Sequence, residues 1–155
     1  MSKTSNNAEL LQVCIQDLHS GCVAAASRLP EIIAPVANQA LREAMENAHG
    51  DYAARAQRLE QTGYDLSGPE NLWMKGILDD AVRDTQSTAS GPILDVALVG
   101  AMRKAFQAER VSIETAQVLA ERLEHEKTLG PLAANHRETS EADRKLQSLL
   151  AQLAA

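Results

Sequence analysis

Aromatic residues are nearly missing from this chain, with one Phe, one Trp and two Tyr in 155 residues. That scarcity, with no period-2 alternation long enough for a strand, argues against a sheet-built core. The 45% apolar content is skewed to Ala and Leu, which favours helices packed through small side chains. No apolar run reaches the ~18 residues of a membrane span. The polar start Met1-Ser2-Lys3-Thr4-Ser5-Asn6-Asn7 lacks the apolar centre of a secretory signal. A cytoplasmic protein without a membrane partner is therefore expected. A basic excess is missing too: the formal charge of −6 argues against nucleic-acid binding, which needs a basic face. Cysteine is scarce. Cys14 and Cys22 would stand roughly 12 Å apart along a helix, too far to bond. Neither has partners at zinc spacing, so both are read as buried, reduced thiols.

What the chain does have is helical periodicity. Helix 1 is expected from about Ala8 to Ala34, with Leu11, Cys14, Ile15, Leu18, Cys22, Ala25 and Leu29 inward, a kink at Pro30 and a stop at Pro35. Helix 2 is expected from about Val36 to Thr62, with Leu41, Ala44, Met45, Ala48, Tyr52 and Leu59 inward and Gly63 as its C-cap. A short helix follows, carrying Leu72, Trp73, Gly76, Ile77 and Ala81. After the polar stretch Thr85–Pro92 a third long helix runs to about Lys127, where Gly130-Pro131 breaks it. The last helix shows Leu132, His136, Thr139, Asp143, Leu146, Leu150 and Leu153 on one face. Two long hairpins joined by a crossover with a short helix make an all-α, ferritin-like four-helix bundle. It is read as one domain over residues 8–154, behind a disordered tail of residues 1–7.

One residue breaks the pattern. Leu98, Met102, Ala105, Ser112, Ile113, Ala116, Ala120 and Leu123 share a face of helix 3, and Glu109 falls among them. A lone buried carboxylate costs several kcal/mol unless a proton, a metal or a cation neutralises it. At the same height the other helices offer Cys22, Asp51, Tyr52, Arg55, His136, Thr139 and Asp143, so one buried polar layer is expected. Two readings compete. In the first, Glu109, His136, Asp143 and Asp51 hold iron or manganese, as carboxylates and imidazoles do in di-metal bundles. The Glu-x-x-His string such bundles use occurs once, at Glu46–His49, but His49 lies about 70° and Glu46 about 130° from the stripe centre. His19 is read as a surface residue, and His125 with Glu121, Glu124 and Glu126 as a solvated helix end. In the second reading Arg55 pairs bidentately with Glu109, extended by His136 and Asp143, and fills the space metals would occupy. The ion pair is preferred.

Several short strings carry a wider likeness: Gln16-Asp17-Leu18 and Leu29-Pro30, then Arg58-Leu59-Glu60 and Leu72-Trp73-Met74-Lys75-Gly76-Ile77-Leu78. Gly91-Pro92-Ile93-Leu94-Asp95-Val96-Ala97-Leu98 and Asp143-Arg144-Lys145-Leu146 complete the set. In this order and spacing, from about Leu10 to Leu150, the chain resembles the bacterial YciE/YciF group of ferritin-like stress proteins, catalogued as a domain of unknown function. The resemblance implies a ferritin-like bundle, a dimer, a link to stress and a di-metal site. The family's polar positions carry over in part. Cys22 stands where its first helix usually has Glu. Ala48, His49, Gly50, Asp51 and Tyr52 replace its His-x-Glu-Glu-Thr, and Arg55 replaces a Gln. Phe106-Gln107-Ala108-Glu109 keeps only the last acid of its Glu-His-Tyr-Glu, while Glu138 and Asp143 match acidic positions. The expected function is a non-enzymatic, stress-associated homodimer without a cofactor, its metal site replaced by an ion-pair layer. A di-iron or di-manganese oxidase or peroxide-consuming bundle is the alternative, and a thiol redox sensor using Cys22 the third.

Overall fold

Three asparagines start three of the helices. In a computed structural model, which describes residues 2–155, the Asn6, Asn38 and Asn71 side chains each accept a backbone N–H three residues on. Each satisfies a donor that the first helical turn leaves open. The helices are α1 (Asn7–Ile33), α2 (Gln39–Glu60), α3 (Leu72–Ser87), α4 (Pro92–Arg122) and α5 (Glu126–Leu153). The α1 cap reaches back into the segment read as a disordered tail: the Ser5 amide and hydroxyl both donate to the Glu9 carboxylate. Met1 lies outside the described residues.

One proline expectation is revised. Pro131 lies inside α5, so Gly130-Pro131 does not separate the last two helices. The chain turns earlier, at Leu123–His125, where Glu124 takes a left-handed φ of 57° and the His125 amide donates to the Ala120 carbonyl. A proline near a helix start removes one hydrogen bond without ending the helix. Pro30 likewise lies inside α1, which runs on to Ile33. Lacking an N–H, Pro30 cannot donate to the Ala26 carbonyl, and His49 Nε2 reaches that carbonyl from α2 at 2.8 Å. His49 is thereby occupied in repairing α1.

The short α1–α2 turn is fixed by two charged side chains. Arg42 donates to the carbonyls of Ile33, Ala34 and Val36. Asp95, buried in the first turn of α4, accepts from the Ala37 and Asn38 amides at 3.0 and 2.9 Å. The crossover is pinned to α1: Trp73 Nε1 donates to the Asp17 carboxylate and Asn71 Nδ2 to the Asp17 carbonyl. It packs α3 against α1 and α4.

Each of α1 and α5 packs on both α2 and α4, which therefore occupy one diagonal of the bundle. The core inside divides into two apolar clusters. One gathers Leu29, Met45, Tyr52, Leu98, Met102 and Phe106 with their neighbours. The other gathers Leu11, Ile15, Leu59, Ile113, Ala116 and Leu132. Between them lie Arg55, Glu109, Asn135 and Thr139, all buried.

Candidate functional site

The layer is built across the α2–α4 diagonal. Tyr52, Arg55, Ala56 and Leu59 share the inner face of α2, and Ala105, Phe106, Glu109 and Ile113 that of α4. Helical spacing therefore aims Arg55 and Glu109 at each other. Arg55 Nε donates to Glu109 Oε2 at 2.9 Å and Nη2 to Oε1 at 3.0 Å. Their side chains are 0% and 2% exposed. This is the planar fork-to-fork pair that arginine makes and lysine cannot.

The remaining guanidinium nitrogen is also occupied. Arg55 Nη1 donates to Glu138 Oε1 on α5 at 3.0 Å, and the other Glu138 oxygen accepts from Arg58 at 3.0 Å. Arg58 donates onward to Asn135 Oδ1 at 3.1 Å, and Asn135 Nδ2 returns to the Arg55 carbonyl at 3.3 Å. Arg55, Glu138, Arg58 and Asn135 thus close a circuit, and with Glu109 the two arginines face two glutamates. Cys22 Sγ on α1 donates to Glu109 Oε2 at 3.3 Å, so every helix of the four contributes. The Arg55 guanidinium carbon lies 4.2 Å from the Tyr52 ring centroid, and that ring stacks on Phe106. An aromatic face adds attraction to a desolvated cation.

Burial is the largest influence on Arg55 and opposes its charge, but Glu109, with smaller contributions from Tyr52 and Cys22, outweighs it, so the guanidinium holds its proton more tightly than in free arginine. Burial pushes the Cys22 thiol well above its ordinary value, and the Glu109 charge adds to the shift. Tyr52 is raised in the same way. The layer therefore keeps the thiol and phenol protonated at neutral pH. A protonated, buried thiol is a poor nucleophile. Asp51 is raised too, by burial and then by Glu138.

The residues expected in the layer do not all meet there. Cys22, Tyr52, Arg55 and Glu109 do. Thr139 is buried beside them, and neither its hydroxyl nor that of Tyr52 finds a hydrogen-bond partner among the described residues. Asp143 is buried but belongs to a second pair, accepting from Arg103 at 2.8 and 3.3 Å and from Gln107 at 2.8 Å. His136 is outside: it lies on the α4–α5 flank with its side chain 30% exposed, and its Nε2 meets Glu114 Oε1 at 2.9 Å. The inward position one residue earlier belongs to Asn135, and i+3 and i+4 steps from Leu132 serve a helical stripe equally well. Asp51 is half-buried and lines a cleft of about 200 Å³ between α2 and α5, with Glu138, Glu141 and Lys145. Sequence reasoning missed Asn135, Arg58 and the role of Glu138. The spacing of Arg55 and Arg58, one helical turn apart, was the available signal.

Arg55 answers whether this donor set suits the two metals a ferritin-like site implies. Both Glu109 oxygens are engaged by the guanidinium, which occupies the space between the acids. His49 and His136 are turned elsewhere. Among the described residues no three His, Cys, Asp or Glu side chains converge so as to hold a metal ion. The residues do not fit a di-metal centre. A larger cleft of about 510 Å³ lies away from the layer at the bundle end, around Tyr64, His125 and Lys127. Tyr64 Oη and His125 Nδ1 are 2.6 Å apart there, in an open, solvated turn.

The family model described as a domain of unknown function, DUF892, matches residues 6–155. The Escherichia coli stress protein YciF has the same fold, with a TM-score of 0.93 and 20% identity over 97% of this chain and 98% of that one. YcfI from Rhodopseudomonas palustris, to which a structural role has been ascribed, has a TM-score of 0.87 and 22% identity over 92% and 94%. These likenesses establish a ferritin-like helical fold. No curated protein matches the chain. No helix is long and apolar enough to cross a membrane among the described residues.

Proposed function

Since this chain belongs to the DUF892 family, we propose that it is a non-enzymatic, stress-associated structural protein whose metal site has been replaced by an ion-pair layer. The observation that carries this reading is the fully buried, bidentate Arg55–Glu109 pair. A permanent cation, tethered through its own side chain, supplies the charge that would otherwise come from metal. Glu109 then has no free oxygen for a coordinated ion, and oxygen or peroxide has no open coordination position to enter.

The role of such a layer is to fix register. A polar group that is satisfied in only one alignment of the helices penalises every slipped alignment, even where it adds little net stability. We assign the protein to the bacterial cytoplasm as a homodimer. Leu10, Val13 and Val23 on the outer side of α1 are exposed and suit pairing with a second copy, which sedimentation would measure. Metal content tests the main reading. Protein from iron- and manganese-supplemented medium should carry less than about 0.1 metal per chain at saturating supply. One or more tightly held ions per chain would overturn it.

A further inference from the structure

We propose that the cleft at the Tyr64–His125 end of the bundle binds a free aromatic α-amino acid through its carboxylate, its ammonium group and its ring together. The inference goes beyond the closed layer and stands independently of it. The cleft, of about 510 Å³, lies between the α2–α3 link and the α4–α5 turn, within the ~300–1,000 Å³ range of small-molecule sites. Its α4–α5 wall offers donors to an anion. Asparagine side chains cap α1, α2 and α3, whereas His125 at the head of α5 makes no side-chain cap bond. Its ring meets the Tyr64 hydroxyl instead, at 2.6 Å. The first amides of a helix have no partner within it. Of Glu126, Lys127 and Thr128, only the last has its N–H met, by the His125 carbonyl at 3.0 Å.

A helix start alone does not make a site, and Thr128 supplies a second feature. It is 2% exposed and its side chain opens onto the cleft. Its hydroxyl has no partner among the described residues, since the Thr62 hydroxyl donates to the Leu59 carbonyl and the Tyr64 hydroxyl meets His125. Lys127, Glu124 and Glu126 line the same wall. All three are exposed, and no ion pair of the described residues involves them. The two signs select the ligand. A simple anion would be repelled by the two glutamates, and a simple cation would leave Lys127 and the open amides unmatched. A zwitterion satisfies both: its carboxylate takes the amides, the Thr128 hydroxyl and Lys127, and its ammonium group takes Glu124 or Glu126. The opposite wall is aromatic. The Tyr64 and His125 rings stand 6.2 Å apart and tilted by 42°, a surface on which a flat side chain packs.

The experiment titrates L-phenylalanine into the full chain by calorimetry, beside phenylacetate and phenethylamine, which each lack one of its charges. L-Phenylalanine should bind once per chain with a Kd of about 1 mM or tighter, and about tenfold more tightly than either half-ligand. In amide NMR spectra the Glu126 and Lys127 signals should move most. Lys127→Gln and Thr128→Val should each weaken binding about fivefold or more, with circular dichroism unaltered. Should Thr128→Val fail to fold, Lys127→Gln, on an exposed side chain, still decides. Glu124→Gln combined with Glu126→Gln should weaken L-phenylalanine while leaving phenylacetate no weaker. The proposal is overturned if L-phenylalanine does not bind, if it binds no better than the half-ligands, or if Lys127→Gln leaves its affinity unchanged. None of these outcomes bears on the Arg55–Glu109 layer, which metal content tests separately.

Discussion

Two arginine–carboxylate pairs in this bundle share their chemistry and differ in their surroundings. Arg55 and Glu109 meet across the diagonal of the core, sealed from solvent. Arg103 and Asp143 meet at 2.8 Å along the flank of α4 and α5, where the arginine is 28% exposed. Water can solvate the flank arginine if its partner is lost, whereas it reaches neither member of the diagonal pair. The comparison teaches that the diagonal pair matters through the penalty for breaking it. Its formation offsets a desolvation cost on both partners, whereas in the flank pair only Asp143 is buried and Arg103 keeps contact with solvent.

Single substitutions can break the comparison. Glu109→Gln leaves the Arg55 charge buried with only Glu138 to meet it, and should destabilise the fold by about 3–5 kcal/mol. Denaturant unfolding at neutral pH measures this. Asp95 is an intermediate case, a buried carboxylate held by two backbone amides rather than a cation. Asp95→Ala should cost about 2 kcal/mol by leaving the Ala37 and Asn38 amides unpaired. Arg103→Ala should cost about 1–2 kcal/mol, less than Glu109→Gln, since Gln107 still donates to the buried Asp143 and Arg103 itself borders solvent. An Arg103→Ala effect as large as that of Glu109→Gln would erase the distinction.

The smallest effect has the opposite sign. Burial and the neighbouring Glu138 raise the Asp51 carboxyl above its ordinary 3.8, Glu141 adds to that shift, and Arg55 and Arg58 oppose it. The folded protein therefore holds that proton to higher pH than the unfolded chain does. Its contribution to stability is greatest at acid pH and declines as pH rises through the folded value. Asp51→Asn should raise stability at pH 7 by well under 1 kcal/mol (about a few tenths), because solvent screens a charge this exposed. The gain should vanish below about pH 4, and thermal melts across pH would show it.

The bundle, its crossover and the Glu109 anomaly were legible because apolar spacing over long helices is a strong signal. Arg55 was legible for the same reason: it recurs on an apolar face. The rest depends on three-dimensional neighbours. His136 and Asn135 are both compatible with the α5 stripe, and only packing against α4 separates them. Asp143 is inward as expected, yet its partner comes from Arg103, a residue the stripe leaves at the border. Gly130-Pro131 looks like a helix end in sequence, while the true turn uses Glu124, whose left-handed backbone carries no glycine to announce it. His49 shows the reverse. Its place off the stripe excluded it as a ligand, but its task, serving the carbonyl that Pro30 leaves open, required the structure.

A double-mutant cycle tests most directly whether Arg55 and Glu109 form the closed centre of this bundle. Unfolding free energies would be measured for the unaltered chain, Arg55→Met, Glu109→Leu and the double variant. Each single change should cost about 3 kcal/mol or more, while the double variant, with an apolar layer of similar volume, should recover at least about 2 kcal/mol of their sum. Strict additivity, with the double variant as unstable as the two single changes together, would contradict the account.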